Sequence, residues 1–178
     1  MPKLEEFVVG IGTNMGNKLD NIINSLRIIS QSLFIKNISN LYQSPALLVP
    51  DMPRLWQEYY LNIAILVSYD GDPQNLLSIL KKIEQRMGRN LNNPRLSPRI
   101  IDLDILISTC KHGKNDSLQI PHKSFFKRSF AYLPTKEVFN HFSYKESLLL
   151  NSNTQKKDLT IKLKNLKLKK FKENLLLK

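Results

Sequence analysis

The sequence predicts an α+β fold, a ferredoxin-like sandwich with the element order β-α-β-β-α-β and an added C-terminal strand and helix. Two observations support this prediction. Apolar runs of strand length alternate with two segments whose apolar residues recur every three or four positions. In addition, the 178 residues are enough for one domain with a substantial core.

The elements follow from local signals along the chain. The helices begin at residues that favour helix N-termini, Asn17 in the first and Asp72-Pro73 in the second, and Gly88 ends the second helix. The run from Tyr59 to Tyr69 is the strongest strand pattern. In chain order we predict a strand at 7–12, a helix within 17–33, a strand at 35–43, an irregular stretch at 46–58, a strand at 59–69, a helix at 72–88, a loop at 89–98 and a strand at 98–107, with one more strand and helix within 117–142.

Three glycines, at positions 10, 12 and 16, lie around the end of the first strand. The third glycine falls one position too late for the dinucleotide-binding fingerprint, and the sequence contains no Gly-Lys-Ser/Thr phosphate loop. We therefore interpret these glycines as a tight strand-to-helix turn.

Asp102 and Asp104 interrupt an apolar segment that otherwise has the pattern of a buried strand. Residues two apart in a strand share a face, so both carboxylates point to one side while Leu103 and Ile105 point to the other. Two half-buried carboxylates about 6–7 Å apart are costly unless positive charge lies beside them. Either Arg99 or a divalent metal carrying a phosphate would supply that charge.

Four arginines bracket this strand and indicate phosphate chemistry. They are Arg89, Arg95, Arg99 and Arg128. A planar guanidinium group matches phosphate oxygens and aspartate is a hard ligand suited to Mg²⁺, so the combination suits transfer of a phosphorus group. A glycosidase acid/base pair is the alternative for two such carboxylates, but neighbouring arginines would keep a carboxyl group ionised and remove the general acid.

Two further polar residues have structural as well as functional interpretations. His122, in Ile-Pro-His-Lys, is compatible with a packed or solvated histidine. Asn62 is able to cap a strand edge, but a buried amide also recognises the edge of a flat heterocycle.

The positive charge is concentrated in the C-terminal part of the chain. Residues 151–178 hold nine Lys and two acidic residues, so they carry seven of the twelve excess positive charges. We predict a catalytic domain at 1–150 and a Lys-rich extension at 151–178, either solvated or forming a short strand or helix. An RNA-binding module is an alternative for a basic ferredoxin-like domain, but the Gly- and aromatic-rich central strand of such modules is missing, and we expect no specific nucleic-acid partner.

Composition narrows the setting in which the protein works. The chain has no apolar run of 18–20 residues and its first residues lack the pattern of a secretion signal, so we expect no membrane association. The lone Cys110 favours a reducing compartment and a cytoplasmic location. With three histidines and one cysteine, we expect no structural zinc site. We expect a monomer.

Several short motifs occur in the order typical of one enzyme family. They are Gly10-Ile-Gly-Thr-Asn-Met-Gly16, Tyr42-Gln-Ser-Pro45, Tyr60-Leu-Asn62, Ile83-Glu-Gln-Arg-Met-Gly-Arg89, Pro98-Arg-Ile-Ile-Asp-Leu-Asp-Ile105, Ile120-Pro-His122, Arg128-Ser-Phe130 and Leu133-Pro134. Over residues 7–140 the chain resembles the 6-hydroxymethyl-7,8-dihydropterin pyrophosphokinases of folate biosynthesis. The Arg-x-x-Asp-x-Asp segment and the later Pro-His and Arg-x-Phe motifs make the resemblance specific.

The resemblance implies that diphosphate passes from ATP to the hydroxymethyl group of 6-hydroxymethyl-7,8-dihydropterin, with release of AMP. It implies that Asp102 and Asp104 hold two Mg²⁺ ions, which make the hydroxyl acidic enough without a general base, and that Arg89 and Arg99 neutralise the transferred group. The implied ATP-binding residues are Glu84, Arg89, Arg99, Ile105, His122 and Arg128. The implied pterin-binding residues are Ser44, Pro45, Leu47, Tyr60, Asn62 and Phe130.

Two features depart from the family pattern: the stretch between Pro45 and Tyr60 is a few residues longer than usual, and the residues before Pro98 differ. The family commonly has Trp-Gly before the Pro-Arg, and here Leu96-Ser97 stand there. The difference affects the loop at 89–98, which by resemblance covers the closed site. A copy that binds ATP without turnover is therefore a third interpretation of the sequence.

Overall fold

The computed structural model of the protein describes residues 4–47, 50–90, 92–94, 96–110, 118–139 and 161–163, together with residues 169, 172 and 175. These residues contain a six-stranded sheet and three helices. The strands are β1 (Glu5–Thr13), β2 (Phe34–Ile38), β3 (Leu41–Ser44), β4 (Tyr60–Tyr69), β5 (Asp102–Ser108) and β6 (Ile161–Leu163). The helices are α1 (Lys18–Ile29), α2 (Pro73–Arg86) and α3 (Ser129–Val138).

The strand pairings in the sheet are antiparallel, in the order β5-β1-β4-β3-β6, and β2 also pairs with β4. The consecutive strands β2 and β3 therefore share one neighbour. With α1 after β1 and α2 after β4, this is the predicted ferredoxin-like α+β arrangement, and the fold prediction is confirmed. β5 stands at one end of the order, so among the described residues its outer edge has no partner strand.

The two sandwich helices begin at the predicted capping residues. The Asn17 side chain accepts a hydrogen bond from the Asp20 N–H at 3.3 Å. The Asp72 side chain accepts one from the Gln74 N–H at 2.8 Å. Gly88, just beyond α2, has a φ of +91°, which glycine adopts at little cost. Within the described part of the chain, no helix combines the length and the hydropathy that a bilayer span requires.

The two faces of the sheet are covered differently. On one face, alternate residues of β1 such as Phe7 and Val9 are buried with the apolar sides of α1 and α2 in the larger core. On the other face, a smaller apolar cluster packs against α3 and ends at Val8 on β1, Ala64 on β4 and Leu106 on β5. Further along β1, β4 and β5, the residues that point to this face are glycines and polar residues. α3 does not cover this part of the face.

The predicted strand at 35–43 is two strands, separated at Ser39 and Asn40. The Ser39 Oγ accepts the Ala64 N–H at 2.9 Å in place of a main-chain partner. The main-chain N–H and the side-chain amide of Asn40 donate to one oxygen of the Glu137 carboxylate on α3, at 2.6 and 2.9 Å. The Ser39 N–H still donates to the Ala64 carbonyl oxygen at 2.9 Å, but the side-chain contacts interrupt the ladder beyond it, and β3 begins at Leu41.

The interpretation of the early glycines as a turn is wrong for two of the three. The glycines at 10 and 12 lie inside β1, and only Gly16 lies in the turn, with a φ of +63°. A Cβ at position 10 would lie 2.9 Å from Leu106 Cδ1, and one at position 12 would lie 3.2 Å from Asn62 Oδ1. These two glycines therefore allow side chains of the neighbouring strands to approach β1 closely.

Several predicted elements are shorter than expected. The strand predicted at 98–107 begins only at Asp102. α1 ends at Ile29, although Leu33 beyond it is still buried in the larger core. In the segment predicted within 117–142, α3 is present, but in place of the predicted strand the described residues before it show an isolated bridge at Gln119 and a short 3-10 helix at Phe125–Lys127. Pro121 follows the bridge closely, and proline has no N–H with which to continue a ladder.

Part of the Lys-rich extension lies against the body of the fold. β6 pairs with β3 in the register Gln43↔Ile161, Tyr42↔Lys162 and Leu41↔Leu163. The Lys172 Nζ donates to the Ser39 carbonyl oxygen at 2.8 Å, and Leu175 packs against the larger core. The extension therefore contributes a strand that continues the sheet beyond β3.

The contact between Tyr42 on β3 and Glu137 on α3 gives a prediction about stability. The Tyr42 hydroxyl donates to Glu137 Oε1 at 2.7 Å, and burial together with this carboxylate raises the pKa of Tyr42 above its ordinary value. We expect Tyr42→Phe to lower the free energy of unfolding by about 1–3 kcal/mol, because the carboxylate loses a donor. Urea unfolding measures this. Tyr59→Phe, at an exposed tyrosine, is the control, and equal effects of both changes would contradict the prediction.

Candidate active site

A cavity of about 310 Å³ opens on the part of the sheet that α3 leaves uncovered. Strands β1, β3, β4 and β5 contribute to it, together with the loops after β3 and before β5 and the segment leading into α3. Most of the predicted site residues meet here. Those that line the cavity are Ser44, Pro45, Leu47, Tyr60, Asn62, Arg89, Arg99, Asp102, Asp104, His122, Arg128 and Phe130.

The two glycines of β1 separate the charged and the polar parts of this cavity. In the strand register Gly12 lies between Asp102 on β5 and Asn62 on β4, and Gly10 lies beside Asp104. These residues share the uncovered face because paired positions of antiparallel strands point the same way. Since glycine has no side chain, space remains above the sheet between the aspartates and Asn62.

Asp102 is held by two guanidinium groups. Arg89 Nη1 lies 2.5 Å from Asp102 Oδ1, and Arg99 Nη1 lies 3.3 Å from Asp102 Oδ2. Burial alone would raise the pKa of Asp102, but the charges of Arg99 and Arg89 outweigh it and hold this pKa below its ordinary value. Asp102 is therefore ionised at neutral pH and able to bind a cation.

Asp104 lies beside Lys81, a residue that the sequence analysis missed. Lys81 Nζ lies 3.5 Å from Asp104 Oδ1, 2.9 Å from Glu84 Oε1 and 2.8 Å from the Leu103 carbonyl oxygen. The Asp104 side chain is 37% exposed and that of Asp102 is 27% exposed, so Asp104 is the more open of the two carboxylates. The sequence signal for Lys81 is its position one helical turn before Glu84, on the same side of α2.

Glu84 does not reach the cavity, although the resemblance implied a contact with ATP. Its side chain has no exposed surface. Glu84 Oε1 accepts the Leu103 N–H at 2.6 Å and forms ion pairs with Lys81 at 2.9 Å and Arg89 at 2.6 Å. Burial raises the pKa of Glu84, against the opposing effects of these three donors. The structure places Glu84 behind the residues that face the cavity.

The other end of the cavity suits a flat, polar ring. Asn62 Nδ2 donates to Ser44 Oγ at 3.0 Å, and this hydrogen bond orients the buried amide. Tyr60 and Phe130 supply aromatic surface, and Leu47 supplies apolar surface. Burial raises the pKa of Tyr60, although the charge of Arg99 opposes this, so its hydroxyl remains protonated.

His122 and Arg128 approach the cavity from the segment before α3. The Ser124 N–H donates to His122 Nδ1 at 3.3 Å, which requires the proton of the neutral imidazole to be on Nε2. Burial lowers the pKa of His122 despite the nearby charge of Asp104, so the neutral ring prevails at pH 7. The Arg128 guanidinium lies 5.7 Å from the ring centroid of Phe130, within the range of a cation–π contact.

The predicted residues and the residues that line the cavity do not coincide completely. The Ile105 side chain is 2% exposed and lies in the larger core, on the opposite face of the sheet, so the structure does not bring it to the site. Arg95 lies outside the described residues. Lys123 lines the cavity and was missed, because a lysine following a Pro-His pair carries no distinctive pattern.

The loop before β5 is anchored next to the cavity. The Arg99 N–H donates to Asn14 Oδ1 at 2.9 Å, and the Asn14 N–H donates to the Arg99 carbonyl oxygen at 3.3 Å. Leu96, at the position of the sequence departure, lines the cavity with a φ of +71°. A leucine in this left-handed region costs about 1–2 kcal/mol, so the surrounding loop must stabilise the conformation.

The two aspartates fit Mg²⁺ that is bound together with phosphate. Within the described part of the chain, no group of three or more His, Cys, Asp or Glu side chains is placed to hold a metal ion. Mg²⁺ commonly takes one or two carboxylates and completes its octahedral coordination with water and substrate phosphates. Asp102 and Asp104 provide that number of hard oxygen ligands at an open cavity.

Comparisons with known sequences agree with this geometry. The family model of 7,8-dihydro-6-hydroxymethylpterin-pyrophosphokinase (HPPK) matches residues 8–140. The 2-amino-4-hydroxy-6-hydroxymethyldihydropteridine pyrophosphokinase of Aquifex aeolicus is 30% identical over 134 residues, covering 73% of this chain and 78% of that protein. A folate synthesis bifunctional protein of Arabidopsis thaliana is 37% identical over 135 residues, covering 75% and 27%. The chain thus spans about a quarter of the bifunctional relative's length.

Solved structures show the same fold. The wild-type HPPK-DHPS of Plasmodium falciparum superposes with a TM-score of 0.59 at 16% identity, covering 84% of this chain and 41% of that one. At this identity the likeness concerns the fold alone. The sequence match over residues 8–140 includes every described residue that lines the cavity. The chain therefore belongs to the 7,8-dihydro-6-hydroxymethylpterin-pyrophosphokinase family.

Proposed function

We propose that this chain transfers diphosphate from ATP to the hydroxymethyl group of 6-hydroxymethyl-7,8-dihydropterin and releases AMP, a step of folate biosynthesis. The observation that carries the proposal is a single cavity with both kinds of surface that the reaction requires. One end has two aspartates among five cationic side chains of the described residues, and the other has an oriented amide beside aromatic rings. Family membership and the name of the Aquifex relative support the same reaction.

The proposed catalytic domain is residues 1–150, and residues 151–178 form an extension. The described residues that line the cavity all fall between positions 10 and 131, within the first of these segments. The five cationic side chains at the charged end, counted among the described residues that line the cavity, are Lys81, Arg89, Arg99, Lys123 and Arg128.

The proposed chemistry is an in-line displacement at phosphorus. The hydroxymethyl oxygen attacks the β-phosphorus of ATP, forms the new O–P bond and loses its proton to solvent. The bond from the β-phosphorus to the oxygen shared with the α-phosphate breaks, and AMP leaves with that oxygen. Because charge spreads over the phosphate oxygens in the transition state, the protein acts mainly by positioning and by neutralising charge.

In this proposal Arg89 and Arg99 neutralise the transferred group. Both contact Asp102 and line the cavity, and their side chains are only 19% and 17% exposed. Partial burial strengthens their interaction with phosphate oxygens, because less water screens the charges. The Nε2–H of His122 and the guanidinium of Arg128 provide further donors for the nucleotide.

Asp102 and Asp104 would hold the Mg²⁺ ions, which when bound supply Lewis-acid neutralisation of the phosphates and make the hydroxyl more acidic. Among the described residues of the cavity, the carboxylates and the histidine are poorly suited to act as a general base. The carboxylates there, Asp102 and Asp104, both face cationic side chains. His122 carries its proton on Nε2 and therefore acts as a donor.

Product analysis tests the reaction itself. With Mg²⁺, ATP and 6-hydroxymethyl-7,8-dihydropterin, we expect AMP and diphosphorylated pterin in equal amounts, because the α–β phosphate linkage is the one that breaks. Chromatography of nucleotides and pterins measures both products. Formation of ADP would overturn the proposal, and so would ATP binding without turnover, which is the outcome expected of an inactive copy.

Substitution of the aspartates tests their proposed role. We expect Asp102→Ala and Asp104→Ala each to lower kcat on the order of 10²–10³-fold, because each removes a charge that the transition state needs. Asp70→Ala, at an exposed aspartate after β4, is the matched control and should retain full turnover. Circular dichroism checks that the fold is intact. If a folded Asp102 or Asp104 variant kept most of its activity, the metal assignment would be wrong.

Substitution of Asn62 tests which end of the cavity binds the pterin. We expect Asn62→Ala to raise KM for the pterin about 10-fold or more while KM for ATP changes little, because a lost hydrogen bond in a buried slot costs about 1–3 kcal/mol. Asn75→Ala, at an exposed position of α2, should leave both constants unchanged. A parallel rise in both KM values for Asn62→Ala would contradict the assignment of this end of the cavity to the pterin.

A further inference from the structure

We propose that Lys81 and Glu84 of α2 form an edge clamp on the main chain of Leu103, and that this clamp positions Asp102 and Asp104. The clamp is a feature of the fold, and its catalytic consequence rests on the proposed function. Lys81 and Glu84 are positioning residues in this proposal, since they act on the aspartates, through the peptide groups of Leu103 and through their charges, and not on the reacting groups.

The clamp occupies the outer edge of β5. Leu103 turns its side chain into the larger core, and its N–H and C=O face away from β1. Glu84 Oε1 accepts the Leu103 N–H at 2.6 Å, and Lys81 Nζ donates to the Leu103 carbonyl oxygen at 2.8 Å. Two side chains one helical turn apart thus satisfy both main-chain groups that a free edge would otherwise expose.

Each clamped peptide group belongs to one aspartate. The Leu103 N–H is part of the peptide that joins it to Asp102, and the Leu103 C=O is part of the peptide that joins it to Asp104. Because each peptide is planar, fixing it restricts the main chain on both sides and therefore the direction of the adjoining carboxylate. The clamp thereby sets the spacing of the two carboxylates before any ligand binds.

The same side chains also balance the charge of the aspartates. Lys81 lies 3.5 Å from Asp104 Oδ1, and Arg89 bridges Glu84 at 2.6 Å and Asp102 at 2.5 Å. Glu84 is fully buried, and its Oε2 has no hydrogen-bond partner among the described residues. Removing Lys81 therefore takes away one of the positive charges that neutralise the buried Glu84 carboxylate. This lowers the free energy of unfolding more than the loss of a surface ion pair does.

Hydrogen exchange tests the clamp without any substrate or metal. We expect the Leu103 amide to exchange at least about 10-fold faster in Glu84→Ala than in the wild type, because the amide loses its acceptor. Glu84→Gln retains an acceptor oxygen and should keep most of the protection. Lys82→Met, at an exposed lysine next to Lys81, is the matched control and should exchange as the wild type does. Unchanged Leu103 exchange in Glu84→Ala overturns the clamp.

Enzyme kinetics test whether the clamp affects the function of the two aspartates. We expect Lys81→Met to raise the Mg²⁺ activation constant or lower kcat by about 10-fold, with KM for the pterin unchanged and with partial rescue in Lys81→Arg. Its Leu103 amide should also exchange faster, and Lys82→Met should resemble the wild type in both measurements.

Two outcomes of the Lys81→Met experiment contradict the proposal in different ways. Reduced activity with wild-type exchange at Leu103 would mean that Lys81 acts through Asp104 or the nucleotide and not through Leu103, and it would overturn the clamp. Wild-type activity with faster exchange would overturn the link from the clamp to catalysis. If the wild type formed no AMP, the proposed function would fail, while the exchange data would still decide whether the clamp exists.

Discussion

The outer edge of β5 is the constraint on which the site depends. This edge strand carries two carboxylates on one face and, at Leu103, main-chain groups without a neighbouring strand. Charge and hydrogen bonding must both be satisfied there, and α2 with the loop after it supplies the cations and the acceptor. Lys81, Glu84 and Arg89 meet both requirements at once. The charged end of the cavity is thus built from the groups that stabilise the edge of the sheet.

The cavity lies where the apolar cluster under α3 ends, on the face of the sheet opposite α1 and α2. α3 packs over Val8 and its neighbours, and Glu137 ties this helix to the break between β2 and β3. Beyond Val8 the β1 row continues with glycines, which leave volume where side chains would otherwise fill the space. The position of α3 and the glycines of β1 together determine the position of the cavity.

Much of the fold and the charged end of the site could be predicted, because both depend on local patterns. Alternation and helical spacing predict the element order, and two aspartates in an apolar strand demand cations wherever they lie. The break at Ser39 depends on distant partners, and Lys81 has the pattern of any exposed helix lysine. Strand alternation places the Ile105 side chain opposite the aspartates, and the structure agrees with that alternation.

Part of the Lys-rich extension pairs with the strand that leads to the proposed pterin end of the cavity. Without β6, the four-residue strand β3 would have β4 as its one neighbour among the described strands, and so short an edge strand is weakly held. β6 pairs with residues 41–43 and stops one position before Ser44, whose hydroxyl orients Asn62. The boundary at residue 150 therefore marks a change in composition and does not coincide with an edge of the sheet. β6 thus covers the outer edge of β3, the strand that carries Ser44 to the proposed pterin end of the cavity.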